Sequence, residues 1–207
     1  MKIDLHVHAR ERSACGLSGE EEMIQAAIER GLDAIAFTDH GRLVPRDRLA
    51  ELNATYAPFR IFTGIEVTVV ENEHVVVLGL HDPKLERRGW TYPDLLAFVH
   101  ARNGMAFLAH PFRYRPWLGV SVHDDHPDAL ELRSLNIEPR TEPAIQTLQT
   151  ELGCRLVCNS DAHYKDDVGR FHNRLPHMPA DDAELIEILR AGDYKPGHYP
   201  EQASART

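Results

Sequence analysis

Four short apolar runs in this chain each end on a histidine-bearing motif: IDLHVHAR at 3–10, FTDHG at 37–41, LAHPF at 108–112 and NSDAHY at 159–164. A buried strand that releases a ring nitrogen or a carboxylate at its end is how barrels and open α/β sheets assemble active sites. The pattern constrains the chain to a fold that gathers several strand ends in one place. It points to a multi-histidine metal centre that activates water.

The spacing of apolar residues supports that layout. Strands are expected at 3–7, 33–38, 60–67, 74–80, 105–110, 129–132 and 155–159. Helical stripes fall between them. Ile24, Ala27 and Ile28 mark a helix over 19–30 that ends at Gly31, with Ser18 and Glu21 at capping-box spacing. Pro45 starts a second helix that stops before Pro58. Thr91 and Asp94 open a third, Ile145, Leu148 and Leu152 mark a fourth, and 181–191 is a fifth, stopped by Gly192. The polar turn at 71–73 lets strands 60–67 and 74–80 pair antiparallel. About seven strands with intervening helices demand a largely parallel sheet covered by helices. Periodicity does not separate a closed barrel from an open sheet. Residues 1–207 read as a single domain, with 193–207 as a polar C-terminal tail.

Composition narrows the function. A net charge of -9 argues against a duplex-DNA binder, which needs a basic field. It leaves open a nucleotide or short oligonucleotide held where metal ions supply local positive charge. No apolar run reaches the length of a membrane span, and MKIDLHVH reads as a ligand-bearing strand and not as a signal peptide. Three cysteines, Cys15, Cys154 and Cys158, imply reduced thiols and a cytoplasmic location. Cys154 and Cys158 have the alternatives of a zinc pair or core residues, the core reading being favoured beside the apolar RLVCN.

His6 and His8 lie at i and i+2, so both rings share one strand face. Asp4 is on that face too, as a supporting partner or as a solvated, capping carboxylate. Neutral imidazole suits zinc, iron and manganese. The case rests on repetition: His40 after Asp39, Glu66 after FTGI, His110 after MAFLA, and Asp161 with His163 after RLVCNS. Two adjacent ions need a bridging oxygen ligand, which imidazoles rarely provide; Glu66 and Asp161 are the candidates.

The ordered series DLHVH, AIAFTDHG, TGIEV, LAHPF and NSDAH resembles the PHP family of polymerase and histidinol phosphatase domains, over residues 2–163. The resemblance implies a distorted seven-stranded (β/α) barrel, two or three divalent ions (Mn, Zn or Fe) at the strand ends, and hydrolysis of phosphate esters. His6 and His8 then resemble ligands of a first metal, with Asp161 as its remaining ligand and Glu66 shared with a second. His110 resembles a second-metal ligand, and His40 and His163 resemble ligands of a third. Two positions depart from the family pattern. The loop after His8, ARERSACG, offers only Glu11 and Cys15 where a further ligand is common. Val76 stands where small members often carry a second-metal histidine, leaving His74 and His81 as alternatives. His81 is favoured because it lies nearer the end of its strand.

Arg113, Arg42, Lys165 and Arg170 follow the histidine motifs and are expected to meet phosphate oxygens. Tyr114 and Trp117 beside Arg113 are candidates for stacking on a base or ring, and His123 and His126 for protonating a leaving group. The expected activity is hydrolysis of a phosphate ester in a small metabolite, nucleotide or short oligonucleotide by a metal-activated hydroxide, with Asp161, Glu66, His81 and His123 as catalytic candidates. A hydrolase of a non-phosphate bond on a similar metal barrel, or a non-catalytic metal-binding regulatory module, are the alternatives.

Overall fold

The computed structural model describes residues 1–199. In chain order the elements are β1 (Lys2–Val7), α1 (Glu20–Glu29), β2 (Ala34–Phe37), α2 (Arg46–Thr55), β3 (Arg60–Thr68), β4 (His74–Leu78), α3 (Tyr92–His100), β5 (Met105–Leu108), β6 (Ala129–Arg133), α4 (Glu142–Leu152), β7 (Arg155–Cys158), β8 (Phe171–Arg174), α5 (Asp182–Ala191) and β9 (Lys195–His198). The expected helices form where the apolar stripes place them. Thr91 caps α3 by accepting from Asp94 N, and Gly153 and Gly192 end α4 and α5 in left-handed conformations. The cap of α1 is shifted by one residue from the Ser18–Glu21 expectation. Gly19 is the capping residue, its N–H donates to Glu22, and Ser18 Oγ instead accepts from Lys165 N.

The strands form one sheet in the order β7-β6-β5-β4-β3-β2-β1-β8-β9. Among β1 to β7 every pairing is parallel except the two made by β4, which runs opposite to β3 and β5. Backbone and side-chain contacts close the remaining gap between β7 and β1. Val7 bridges Ala162, His8 N donates to Ala162 O, and Leu5 N donates to Asn159 Oδ1. Asp4, fully buried, accepts from Ser160 N at 3.0 Å, from Ser160 Oγ and from Gly169 N at 2.8 Å. The result is a distorted seven-stranded barrel.

Alternation divides the core. Val75, Val77, Ala106 and Leu108 pack outward with Leu95, Val99, Ile145 and Leu148 of α3 and α4. Their neighbours Val76, Leu78, Met105 and Phe107 face the other way, into a cluster closed by Leu185, Ile186 and Leu189 of α5. A third cluster joins Val7, Ile35, Phe37 and Ile61 to Met23, Ile24 and Ala27 of α1 and Leu52 of α2.

The C-terminal stretch corrects one expectation. Part of the presumed tail, residues 195–198, is β9, paired antiparallel with β8. Residues 200–207 lie outside the described residues. FHNR and KPGH carry no apolar alternation, so this edge hairpin leaves no periodic signal.

Cys154 and Cys158 are buried, and burial pushes their thiols up to about 11 and about 12. Cys15 is exposed. Native alkylation at neutral pH should therefore modify Cys15 alone, whereas alkylation in denaturant should modify all three. Mass spectrometry checks this, and rapid native labelling of Cys158 would contradict the packing of β7.

Candidate metal centre

Six loops and one strand start meet at one mouth of the barrel. Its middle is Glu66, near the end of β3 and completely buried. Its Oε1 lies 3.5 Å from His6 Nε2, 2.9 Å from His74 Nδ1 and 3.2 Å from His110 Nε2. Its Oε2 lies 3.5 Å from His8 Nε2 and 2.6 Å from His40 Nδ1. Asp161 completes the inner ring, with Oδ1 3.3 Å from His6 Nε2 and 3.2 Å from His8 Nε2. His163 Nδ1 donates to Asp161 O at 3.0 Å, which leaves Nε2 to face the cluster.

Neighbouring polar groups orient the rings. His6 Nδ1 donates to Glu131 Oε1 at 3.0 Å. Glu131 also accepts from Asn159 Nδ2 and His110 N. His8 Nδ1 donates to Ser13 Oγ, which in turn donates to Asp39 Oδ1 at 2.7 Å. Both rings are thereby fixed with Nε2 inward, the tautomer a cation requires. Asp39 is an anchor: it also accepts from Ala9 N and from Arg12 Nε.

The electrostatics favour positive charge at the centre. Burial opposes ionisation of Glu66, but the His6 imidazolium and hydrogen bonds from His110 and His40 hold its carboxyl well below the usual carboxylate range. Asp161 is held low against burial by His6 and His8. Burial alone would strip His6 of its proton; Asp161, Glu131 and Glu66 reverse this and raise it well above the usual imidazole value. Burial takes His8 down to about 4, so it stays a neutral ring.

A direct test of fit is whether the centre leaves polar atoms without partners. Nε2 of His6 and Nε2 of His8 are buried with no hydrogen bond. Buried polar atoms are rarely abandoned in this way, and a cation ligated by imidazole satisfies both. Three groups of ligand atoms lie within mutual distances of 4.8 Å: His6–His8–Asp161, His8–His40–His163 and His40–Glu66–His74. Asp161 and His110 adopt left-handed backbone, with φ of 54° and 29°, strain of the kind found at functional sites.

Several expected site residues are elsewhere. Because β4 runs antiparallel, its first residue is at the mouth and its far end is at the opposite end of the barrel. His74 therefore joins Glu66, while His81 is carried away and its Nε2 donates to Val44 O. His123 is not brought to the centre: it is 61% exposed and 3.8 Å from Glu151, beside the end of α4 that leads into the start of β7. Arg170 directly precedes β8, its carbonyl accepting from Tyr199 N. Glu11, a candidate ligand in the first loop, instead accepts from Glu20 N at the start of α1. Arg113 does border the centre. It lines a cavity of about 520 Å³ with Asn136 and Arg140, and Asn136 Nδ2 donates to Asp161 Oδ2. Arg42 lines a second cavity with His40, and Lys165 follows His163.

Sequence reasoning missed Glu131 and Asn136. For Glu131 a signal existed: one acidic residue inside the apolar run ALEL, whose burial demands a partner. The direction of β4 yields a test. His74→Ala should lower bound metal by about tenfold or more, whereas His81→Ala should leave it unchanged, as read by elemental analysis after dialysis. The reverse order would refute the strand direction.

A seven-stranded α/β barrel with a histidine–carboxylate centre at its mouth defines a class of metal hydrolase. The chain belongs to the PHP domain family, whose match covers residues 4–178. A protein of Caldicellulosiruptor bescii described as a probable phosphatase is 24% identical, over 82% of this chain and 83% of its own length. Among solved structures, a two-domain protein of Bacteroides vulgatus, described as containing a PHP-like metal-dependent phosphoesterase, superposes with a TM-score of 0.74. It is 18% identical and aligns with 96% of this chain and 65% of that one. A lesion-specific endonuclease of Pyrococcus furiosus gives a TM-score of 0.66 at 16% identity, over 94% of this chain and 57% of that one. Family and curated relative together place the chain among phosphoesterases.

Proposed function

We propose that the centre hydrolyses a phosphate ester of a small metabolite, nucleotide or short oligonucleotide, with two or three Mn, Zn or Fe ions held by His6, His8, His40, Glu66, His74, His110, Asp161 and His163. The observation that carries the reading is Glu66: one buried carboxylate touched by five histidines, with unpartnered nitrogens on two of them. Divalent ions bound there would acidify a water and neutralise charge on phosphoryl oxygens. The protein's own groups do the rest. Glu66 reaches both sides of the cluster through its two oxygens, and Asp161 holds the side facing Asn136. Arg113, which no carboxylate engages among the described residues, is placed to take a non-bridging oxygen; Arg42 and Lys165 approach from the neighbouring loops.

The surface around the mouth bears on the rest of the substrate. The large apolar side chains most exposed among the described residues are Leu17, Val70, Tyr114, Trp117, Leu135 and Tyr164, and all six stand on loops at this end. Tyr114 and Trp117 are 61% and 63% exposed beside Arg113, which suits an ester that carries a ring. The three unpaired thiols suit a reducing, cytoplasmic setting. No helix among the described residues is long and apolar enough to cross a membrane.

The test is elemental analysis of anaerobically purified protein, followed by phosphate release from monoesters and diesters with Mn²⁺, Zn²⁺ and Fe²⁺ added separately. Bound transition metal and metal-dependent release are expected. Protein that retains no metal and releases no phosphate with any of the three would end the proposal.

A further inference from the structure

A second cavity, of about 650 Å³, opens beside the metal centre and shares His40 with it. Its buried lining is apolar, with Val67, Val69 and Leu85. Its rim carries three guanidinium groups, Arg42, Arg87 and Arg88, against one carboxylate, Glu86. That carboxylate is already engaged: Oε1 accepts from Leu43 N at 2.9 Å, and Oε2 lies 3.8 Å from Arg42. The Arg87 guanidinium lies 3.6 Å from the centroid of the Trp90 ring, which fixes its plane. Among the described residues neither Arg87 nor Arg88 has a carboxylate within ion-pair distance. The whole chain holds 32 acidic residues against 23 Lys and Arg, so three arginines to one acid in a single cleft runs against its composition.

Arginine is the side chain whose planar fork best matches carboxylate and phosphate. We propose that this cleft binds a second anionic group, carboxylate or phosphate, of the same molecule whose ester phosphate sits at the metal centre. The inference rests on the phosphoesterase reading and adds a substrate class to it: esters with an anion at each end of a short carbon skeleton. The skeleton crosses His40 and lies along Val67 and Val69. The guanidinium groups make charge-assisted contacts with the distal anion, which raise affinity without touching the bond that breaks.

Three esters separate the possibilities: glycerol phosphate, phosphoglycerate and glycerol bisphosphate. With the metal-loaded enzyme, kcat/KM for one or both two-anion esters should exceed that for glycerol phosphate by about tenfold or more. The member of the pair that is favoured identifies the distal group as carboxylate or phosphate. Arg88→Ala and Arg87→Ala should collapse that ratio through KM. A second readout needs no turnover. The chain has two tryptophans, so Trp117→Phe leaves Trp90 as the only one, directly beneath Arg87. Its emission should change on titration with phosphoglycerate or glycerol bisphosphate, and Arg88→Ala should weaken that response. Equal kcat/KM for all three esters, or arginine variants that lower all three in the same proportion, would overturn the proposal. Should none of the three be hydrolysed while metal is bound, the phosphoesterase reading is what fails, and the Trp90 titration alone decides the cleft.

Discussion

Glu66→Gln is expected to reduce phosphate release by about a thousandfold, while the barrel stays folded. The amide keeps the size of the side chain and removes its charge. It also puts an N–H₂ in place of one of the two oxygens, which now face imidazole nitrogens at 2.6–3.5 Å. A carboxylate that would hold divalent ions is lost, and with it about 4 kcal/mol of transition-state stabilisation, which corresponds to the thousandfold at 1.36 kcal/mol per decade. Elemental analysis should show fewer ions per chain, and circular dichroism an unchanged fold. Wild-type turnover in this variant would mean that the buried carboxylate is structural and that the centre lies elsewhere.

Asp4→Ala should have the largest effect on stability. It removes an acceptor that serves Ser160 N, Ser160 Oγ, Gly169 N and His6 N, all in a fully buried site that ties β1 to the segment after β7. Stranding those donors should destabilise the fold by about 3 kcal/mol or more, read as a fall in Tm of about 6–12 °C. Asp4→Asn should be milder, because burial already pushes this carboxyl up from 3.8 to about 6, its four donors restraining the rise. The sign of the pH dependence follows. A folded-state pKa above the unfolded one contributes stability that is complete below 3.8 and is lost as pH rises through about 6. The stability of wild type relative to Asp4→Asn should therefore fall between about pH 4 and pH 7. A relative stability that rises over this range would show that the four donors outweigh burial.

Much of the centre was legible because strand geometry is local. The i, i+2 spacing of His6 and His8 fixes their common face whatever the rest of the fold does. An apolar run followed by a polar ligand reads the same way at Asp39-His40, His110 and Asp161-His163, since buried strands must surface somewhere. Helix stops at Gly153 and Gly192 were equally plain, because a left-handed residue after an amphipathic stripe is nearly the property of glycine.

The errors have a common origin. Choosing His81 over His74 treated β4 as one more parallel strand, although the polar turn before it already allowed the antiparallel pairing that exchanges its two ends. His123 follows the LAHPF motif in sequence, but the chain leads it to the surface beside Glu151. Glu11 looked like a hard ligand and proved to be a partner for the open N-terminus of α1. The hairpin of β8 and β9 was invisible because its pairing uses backbone groups, which every residue possesses.

The sequence by itself determined the periodic elements, the residue types able to hold cations, and their order along the strands, because each depends on neighbours within a few residues. Only the tertiary structure decided which end of each strand reaches the mouth, that Glu66 is the carboxylate on which five rings converge, and that Glu131, Ser13 and Asn136 hydrogen-bond to His6, His8 and Asp161. Strand direction and long-range hydrogen bonds are properties of pairs of segments. Nothing within either segment records its partner.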